Sequence, residues 1–508
     1  MTEVLIHAPD TEPVPTAIPG KKAAASNWWK IGDVAVLLVY VCITTFTLQY
    51  HEKWADEAQA WLLARDLDLK SLWFHELRYE GSPGLWHTIL WVAQHIFHAP
   101  YAAIGYIGLV CATAGVAVLL FLTPFPRGIK WLMAFSFFFL YQYAVIARSY
   151  VLFACFALLI ARQFRNLKRP DLFALSLVPL ALLTAHGSLM SASLALVYAL
   201  RFIRRWSEHD SQTRKRFFLS AGALVLLYLF LFFILFPASD TEATHDVALT
   251  ASVIFQRASR AIKGALVDNA WLSFLVLGIC AIWCYVRKLM GALILPVISM
   301  VALYVYADSW AHQDGTIFLA IVTGLAIAWP TSAERANFNR RDRAWYHGIV
   351  AVLGVILCYQ VWIAAVVIRR DIRLPYSGAE DTARYLRPLV NLGKTIDGYQ
   401  YGMVAVNAYF DHNIFANHSR AYYHHSIYEF NPVQVPQEMA ASPANYIVIN
   451  WWDQFDENLF RDGLLAPMAT WGYSLDHVSD GYLLTKTGYS HRQIYLVFKK
   501  DSVLAKAR

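Results

Sequence analysis

The residues best equipped for chemistry lie between positions 51 and 87, where seven acidic side chains follow directly on the first long apolar run. Two carboxylate groups stand out there, the adjacent Asp56 and Glu57 and the later Glu80. A carboxylate at the edge of a bilayer is partly desolvated, which raises its pKa towards neutrality and suits it to act as a general base. A structural reading competes for the pair: Asp56 as a helix N-cap, Gln59 at N3 as in a capping box, and Glu57 favoured by the first-turn dipole. Both roles can coexist if one carboxylate caps and the other stays exposed. Glu80 precedes Gly81-Ser82-Pro83-Gly84, in which Ser82 and Pro83 read as N-cap and N1 of the next helix. His87 then falls one turn inside that helix, as a ligand contact or an interfacial histidine.

Further polar residues interrupt the apolar chain. Arg148 stands between two apolar runs with almost no polar company, and a charge at that depth calls for an anionic partner, either a protein carboxylate or a lipid phosphate. His186 begins a turn with Gly187-Ser188. Asp308, His312 and Asp314 form a second polar cluster. Arg257, Arg260 and Lys263, at i, i+3 and i+6, share one helical face that is either solvated or binds phosphate.

These residues have to be positioned by membrane helices. With 57% hydrophobic and only 16% charged residues, the chain does not have a soluble protein's composition. Its apolar runs are of roughly 15–22 residues, about what crosses a hydrocarbon core. They fall near 31–48, 85–98, 101–122, 131–147, 149–164, 171–185, 187–201, 217–236, 271–286, 290–306, 315–330 and 345–367. Residues 1–30 read as a cytosolic tail and 31–367 as the membrane domain. Arginine and lysine clusters at 162–169, 201–216, 287–288 and 335–343 read as inside loops. Alternation then puts 51–87, Arg148, His186, the 237–270 loop and 308–314 on the outer face. The short run 85–98, holding His87, Gln94 and His95, reads as interfacial or re-entrant, which also restores the parity of the spans. From 368 to 508 the composition turns polar, with strand-like pieces at 446–449 and 494–498 and a helical stretch near 379–390. The expected fold is an all-α polytopic membrane protein of about 11–13 transmembrane helices. A C-terminal soluble α/β domain on the outer, periplasmic face completes it.

All six cysteines fall inside the apolar runs, leaving no disulfide framework for an exposed domain. The small net charge of +7 gathers in loops and does not point to a nucleic-acid partner. P-loop, dinucleotide, G-x-S-x-G and zinc-ligand spacings are absent from the sequence.

Trp54-Ala55-Asp56-Glu57, Gly81-Ser82-Pro83-Gly84-Leu85 and Arg148-Ser149-Tyr150 together resemble motifs of the GT-C superfamily of integral-membrane glycosyltransferases, which includes protein O-mannosyltransferases and the lipid A aminoarabinose transferase. The motifs lie within 31–200, and the architecture extends over the whole chain. The resemblance implies a polyprenyl-phosphate-linked sugar donor and a lipid, glycan or protein acceptor. It implies inverting displacement on the outer face, with Asp56 or Glu57 as base and Arg148, with His312 or Arg257, on the departing phosphate. It allows a divalent cation at the acidic pair, which the sequence does not require. The expected location is a bacterial inner (plasma) membrane, with the N-terminus cytosolic. The sequence departs from the pattern in having one proline where relatives often have two, and no Asp after Arg148. The second acidic residue of the site is therefore open among Glu80, Asp308 and Asp314. From another class, a transporter or a non-catalytic component of cell-envelope polysaccharide assembly could use Arg148 and His312 as substrate or proton contacts.

Overall fold

The computed structural model describes residues 20–241, 249–307, 312–426, 435–452, 466–486 and 488–501. Helix α1 (Gly20–Leu48) leads into an amphipathic α2 (Ala55–Asp66) and a short α3 (Leu85–His95). A helical bundle follows: α4 (Ala103–Leu122), α5 (Arg127–Ala134), α6 (Phe153–Gln163), α7 (Pro170–Ala181), α8 (Ala185–Arg204), α9 (Ser211–Leu235), α10 (Ala251–Ala265), α11 (Ala270–Val286), α12 (Gly291–Ala307), α13 (Gly315–Ala328) and α14 (Arg340–Asp371).

Among the described residues, five of these helices (α1, α4, α8, α9 and α14) are long and apolar enough to cross a membrane. The pair α10–α11, bent by 73°, makes a sixth if it is one span. Their surfaces carry the second signature of lipid contact. Leu219, Val225, Leu226 and Phe233 on α9 are exposed, as are Ile31, Leu38 and Phe46 on α1. Apolar surface on that scale is unfavourable in water and neutral against acyl chains. The chain is a multi-pass membrane protein.

Three stretches of the apolar sequence take forms other than a single span. The 85–98 run yields only the 11-residue α3, about 16 Å long and short of a ~30 Å core. The 131–147 run is not one helix: α5 stops at Ala134, a π-helical turn covers Phe138–Gln142, and turns lead to Arg148. This irregular backbone is tolerated because Phe137 to Ala147 are buried among protein neighbours and not against lipid. The 171–201 stretch is two helices, α7 and α8, with the Thr184 hydroxyl accepting the Gly187 N–H at the new N-terminus. Gly187 lies so close to the Leu180 carbonyl that any Cβ would clash, which allows the tight reversal.

The two ends of the bundle differ in chemistry. At one end, Glu334 pairs with Arg165 at 3.2 Å and Arg287 at 3.1 Å, gathering three of the basic loops. At the other, the ends of α1 and α14 meet where His51 bonds Asp371 at 2.9 Å.

Beyond α14, helix α15 (Ala379–Asn391) precedes a four-stranded sheet of β1 (Ile396–Tyr399), β2 (Tyr446–Trp452), β3 (Tyr473–Thr485) and β4 (Gly488–Lys500). The order is β1-β2-β4-β3, with β1 parallel to β2 and the other pairs antiparallel. The helix and the two strand-like pieces expected from the sequence are all present. The β3–β4 hairpin points into the bundle. Leu483 and Leu484 join the membrane core, and buried Lys486 donates to the Gly264 and Leu266 carbonyls at the end of α10, each at 2.9 Å. Asp268 completes the contact at 3.1 Å, so the charge satisfies a helix C-terminus that faces away from water. Gly481 of β3 and Ser377 are in backbone contact too close for any side chain on the glycine.

Candidate active site

Helix α2 begins two residues earlier than its acidic pair suggests: Trp54 is the N-cap, Ala55 the first helical residue and Glu57 the N3 residue. The expected capping roles of Asp56 and Gln59 are therefore corrected. Glu57 reaches back to accept the Trp54 N–H at 3.2 Å, and its other oxygen accepts the Ala147 N–H at 2.8 Å. Its side chain is fully buried. Asp56, one position earlier and 100° around the helix, points into the mouth of the site. Its Oδ2 is 2.8 Å from Arg148 Nη1 and the pair is about one-fifth exposed, with side-chain values of 19% and 20%. Asp56 Oδ1 accepts the Tyr401 hydroxyl at 3.1 Å. Neighbouring residues in the sequence thus divide the work, Glu57 holding the backbone and Asp56 facing the opening.

Behind Glu57 lies a buried ionic chain. His51 Nδ1 contacts Asp371 at 2.9 Å and Nε2 contacts Glu57 at 3.4 Å, while the Tyr141 hydroxyl donates to the same Asp371 oxygen at 3.1 Å. Burial alone would lower the His51 pKa, but the two flanking carboxylates dominate and raise it to about 10. The imidazolium in turn, with the Ala147 N–H, holds the Glu57 carboxyl below its usual range against the effect of burial. A buried carboxylate needs such a partner. Here it comes from the loop leaving α1 and the last turn of α14.

Glu80 is the second candidate carboxylate. Its oxygen accepts Gln59 Nε2 at 2.7 Å and lies 3.9 Å from His425 Nε2. Burial pushes its pKa up, and the nearby Asp56 and Glu76 carboxylates add to this against the opposing His425 and Gln59. Ser82 and Pro83 do not open the following helix as expected. Gly84, at φ +96°, is the N-cap, and its missing side chain makes room for Trp73 and Leu77. His87 is buried and its Nδ1 has no hydrogen-bond partner among the described residues. Burial pushes its pKa down to about 4, so it is neutral.

Arg148 draws several of the candidate residues together. Its guanidinium lies 5.9 Å from the Trp54 ring and 5.6 Å from the Tyr150 ring. Tyr150 in turn stacks on Tyr143 at 5.3 Å and approaches His186 at 5.8 Å and His312 at 6.3 Å. Tyr143 donates to the His312 carbonyl at 2.9 Å, and His186 faces Tyr304 at 5.1 Å. Burial, with Arg148 and His186 nearby, pushes the His312 pKa well down. The result is an aromatic, uncharged wall beside one guanidinium, with His312 Nε2 lacking a hydrogen-bond partner among the described residues.

The remaining candidates lie elsewhere. Arg257 donates to the Val305 and Tyr306 carbonyls at 2.7 and 3.2 Å, satisfying the C-terminus of α12. Arg260 is exposed on α10. Asp314 is buried against Gly264, on the Lys486 side. Asp308 lies outside the described residues. Among the described residues, no group of three or more His, Cys, Asp or Glu side chains is placed to hold a metal ion.

Part of the site comes from the C-terminal portion of the chain and was not foreseen. Besides Tyr401, the loop at 421–426 lies over the 51–87 segment: the Tyr423 N–H donates to Gln59 Oε1 at 2.9 Å, and His424 contacts Glu76 at 2.7 Å. Tyr401, Tyr423 and His425 form a triangle of rings with centroids 4.8–5.5 Å apart. The only sequence signal was the density of Tyr and His at 422–425.

No protein-family model matches the sequence, and no curated protein matches it. The fold does have a solved counterpart. The crystal structure of ArnT from Cupriavidus metallidurans bound to undecaprenyl phosphate is similar with a TM-score of 0.51 at 12% identity, over 93% of this chain and 98% of that one. The arabinofuranosyltransferase AftD from Mycobacteria aligns with 93% of this chain and 40% of its own, at a TM-score of 0.37 and 13% identity. From the first helix to the sheet beyond the last one, the chain shares the fold of that ArnT structure.

Proposed function

We propose that this protein is a glycosyltransferase that moves a sugar from a polyprenyl-phosphate-linked donor to an acceptor at the outer face of the membrane. The observation that carries the reading is the Asp56–Arg148 contact at 2.8 Å in a partly open site. It sets a carboxylate base beside a guanidinium placed to receive the phosphate of the donor. The ArnT structure of similar fold was solved with undecaprenyl phosphate, which supports that class of donor.

In the proposed reaction Asp56 takes the proton of an acceptor hydroxyl or amine. The acceptor atom bonds to the anomeric carbon from the face opposite the leaving group, and the anomeric C–O bond to phosphate breaks. The configuration inverts, and the bond's electron pair leaves on the phosphate oxygen of the polyprenyl phosphate. Arg148 stabilises that charge, and the neutral His312 and His186 offer hydrogen bonds beside it. Glu57 does not act as base in this scheme, because both its oxygens are engaged. It fixes the loop that carries Arg148, through Ala147. Glu80, whose pKa burial raises, lines the acceptor side with Gln59 and His425. The basic loops gathered at the opposite end of the bundle support an outer placement of the site, with the N-terminus in the cytosol and the region from 368 onward outside.

The test is release of polyprenyl phosphate from a polyprenyl-phosphate sugar by the purified protein in the presence of acceptor. Wild type should turn over, while Asp56→Asn and Arg148→Gln, both folded, should not. Equal release by all three would refute the assignment.

A further inference from the structure

At the outer end of α14 a cavity of about 440 Å³ opens between α1, the α5 region and α14. Its lining is apolar, including Ile43, Phe135, Leu140 and Ile368, except for Arg369 and Arg373. The two arginines are one helical turn apart, so they share a face. Both are exposed, and neither has an acidic partner among the described residues. Asp371 lies between them in sequence but on the other side of the helix, where it is buried against His51 and Tyr141.

An apolar cleft with a pair of guanidiniums at the membrane surface complements a molecule with an acyl tail and a phosphate head. Arginine stems snorkel to the interface, where their forks can take a phosphate between them. We infer that this cleft binds an anionic phospholipid of the surrounding bilayer, with its phosphate on Arg369 and Arg373 and an acyl chain in the cavity. A bilayer lipid fits better than the sugar donor. The buried His51–Asp371–Glu57 chain separates the cleft from Asp56 and Arg148, so a head group held here does not reach the reacting groups. The inference stands independently of the transferase reading.

The test is lipid binding to the purified full chain, measured by native mass spectrometry with phosphatidylglycerol, a diacylglycerol of the same chains, undecaprenyl phosphate and inorganic phosphate. Phosphatidylglycerol should bind, and neither diacylglycerol nor inorganic phosphate should bind at the same concentration. Arg369→Gln with Arg373→Gln should weaken phosphatidylglycerol about 30-fold, from two interfacial arginines. Arg369→Lys with Arg373→Lys should keep most of the affinity, and Arg370→Gln, outside the lining, should leave it unchanged. Three results would overturn the inference: equal binding of diacylglycerol, an equal loss in Arg370→Gln, or displacement of phosphatidylglycerol by undecaprenyl phosphate with the same dependence on Arg369 and Arg373.

Discussion

Asp56 and Glu57 are neighbours of the same charge, yet the structure predicts opposite consequences for removing each charge. In Asp56→Asn the side chain keeps its shape and can still accept from Tyr401. It loses an ion pair that is about one-fifth exposed, which puts the stability cost near 1 kcal/mol. Helix α2 is unaffected, because its N-cap is Trp54. The chemical cost is far larger: a positioned general base contributes about 10²–10⁴-fold to rate. Glu57→Gln reverses the pattern. Its carboxylate is fully buried and accepts from Trp54, Ala147 and His51. Neutralising it leaves the His51 charge facing one carboxylate fewer, and breaking a buried pair costs about 3–5 kcal/mol. Thermal unfolding in detergent and polyprenyl-phosphate release, measured on the same preparations, separate the two. Asp56→Asn should melt close to wild type with transfer reduced at least a hundredfold, in line with the base estimate. Glu57→Gln should melt well below wild type, with any surviving activity proportional to the folded fraction. Transfer by Asp56→Asn within tenfold of wild type would refute the role of Asp56. An unchanged melting temperature for Glu57→Gln would refute that of Glu57.

The His51 charge gives a pH signature. Its pKa is raised from 6.5 to about 10 in the fold, so its stabilisation is fully present below about pH 6.5 and is lost as pH rises through about 10. Melting curves of wild type should fall across that window, and His51→Gln should start lower and show a flatter dependence. Tyr401→Phe removes one hydrogen bond to Asp56, so unfolding should be easier by no more than about 1 kcal/mol and kcat should drop by about fivefold. A larger loss of stability than of rate would assign Tyr401 to packing alone. Gly481→Ala forces a Cβ into the Ser377 backbone. An overpacking cost of about 1–3 kcal/mol should appear as easier protease cleavage between α14 and the sheet, with the membrane helices protected.

The legible parts of this molecule were those written locally. Apolar runs gave α1, α4, α9 and α14, and the return of polar residues after 367 gave α15 and the strands β2 and β4. Arg148, isolated in apolar sequence, needed an anion, and its partner is a carboxylate of the 51–87 loop. What stayed hidden depends on contacts across the chain. His51 meets Asp371 at a separation of 320 residues, and Asp56 meets Tyr401 at 345. Neither leaves a periodic trace. The error at the start of α2 has the same origin. Tryptophan is a poor local cap, and the start at Trp54 is fixed by Glu57, which the Ala147 N–H and His51 hold in place. The spacing of Arg257, Arg260 and Lys263 leaves a solvated face and a phosphate-binding one both open, and it does not reveal that Arg257 also donates to the carbonyls at the end of α12.

The inserted β3–β4 hairpin bears on biosynthesis. Residues 473–500 are translated after every membrane helix, yet Leu483, Leu484 and Lys486 are part of the bundle's interior. Until that segment has folded back against the bundle, the carbonyls at the end of α10 and the Asp268 carboxylate lack their cation. The end of α10 is thus completed by the last hairpin of the chain, and a chain truncated before Lys486 lacks the cation that satisfies that helix end.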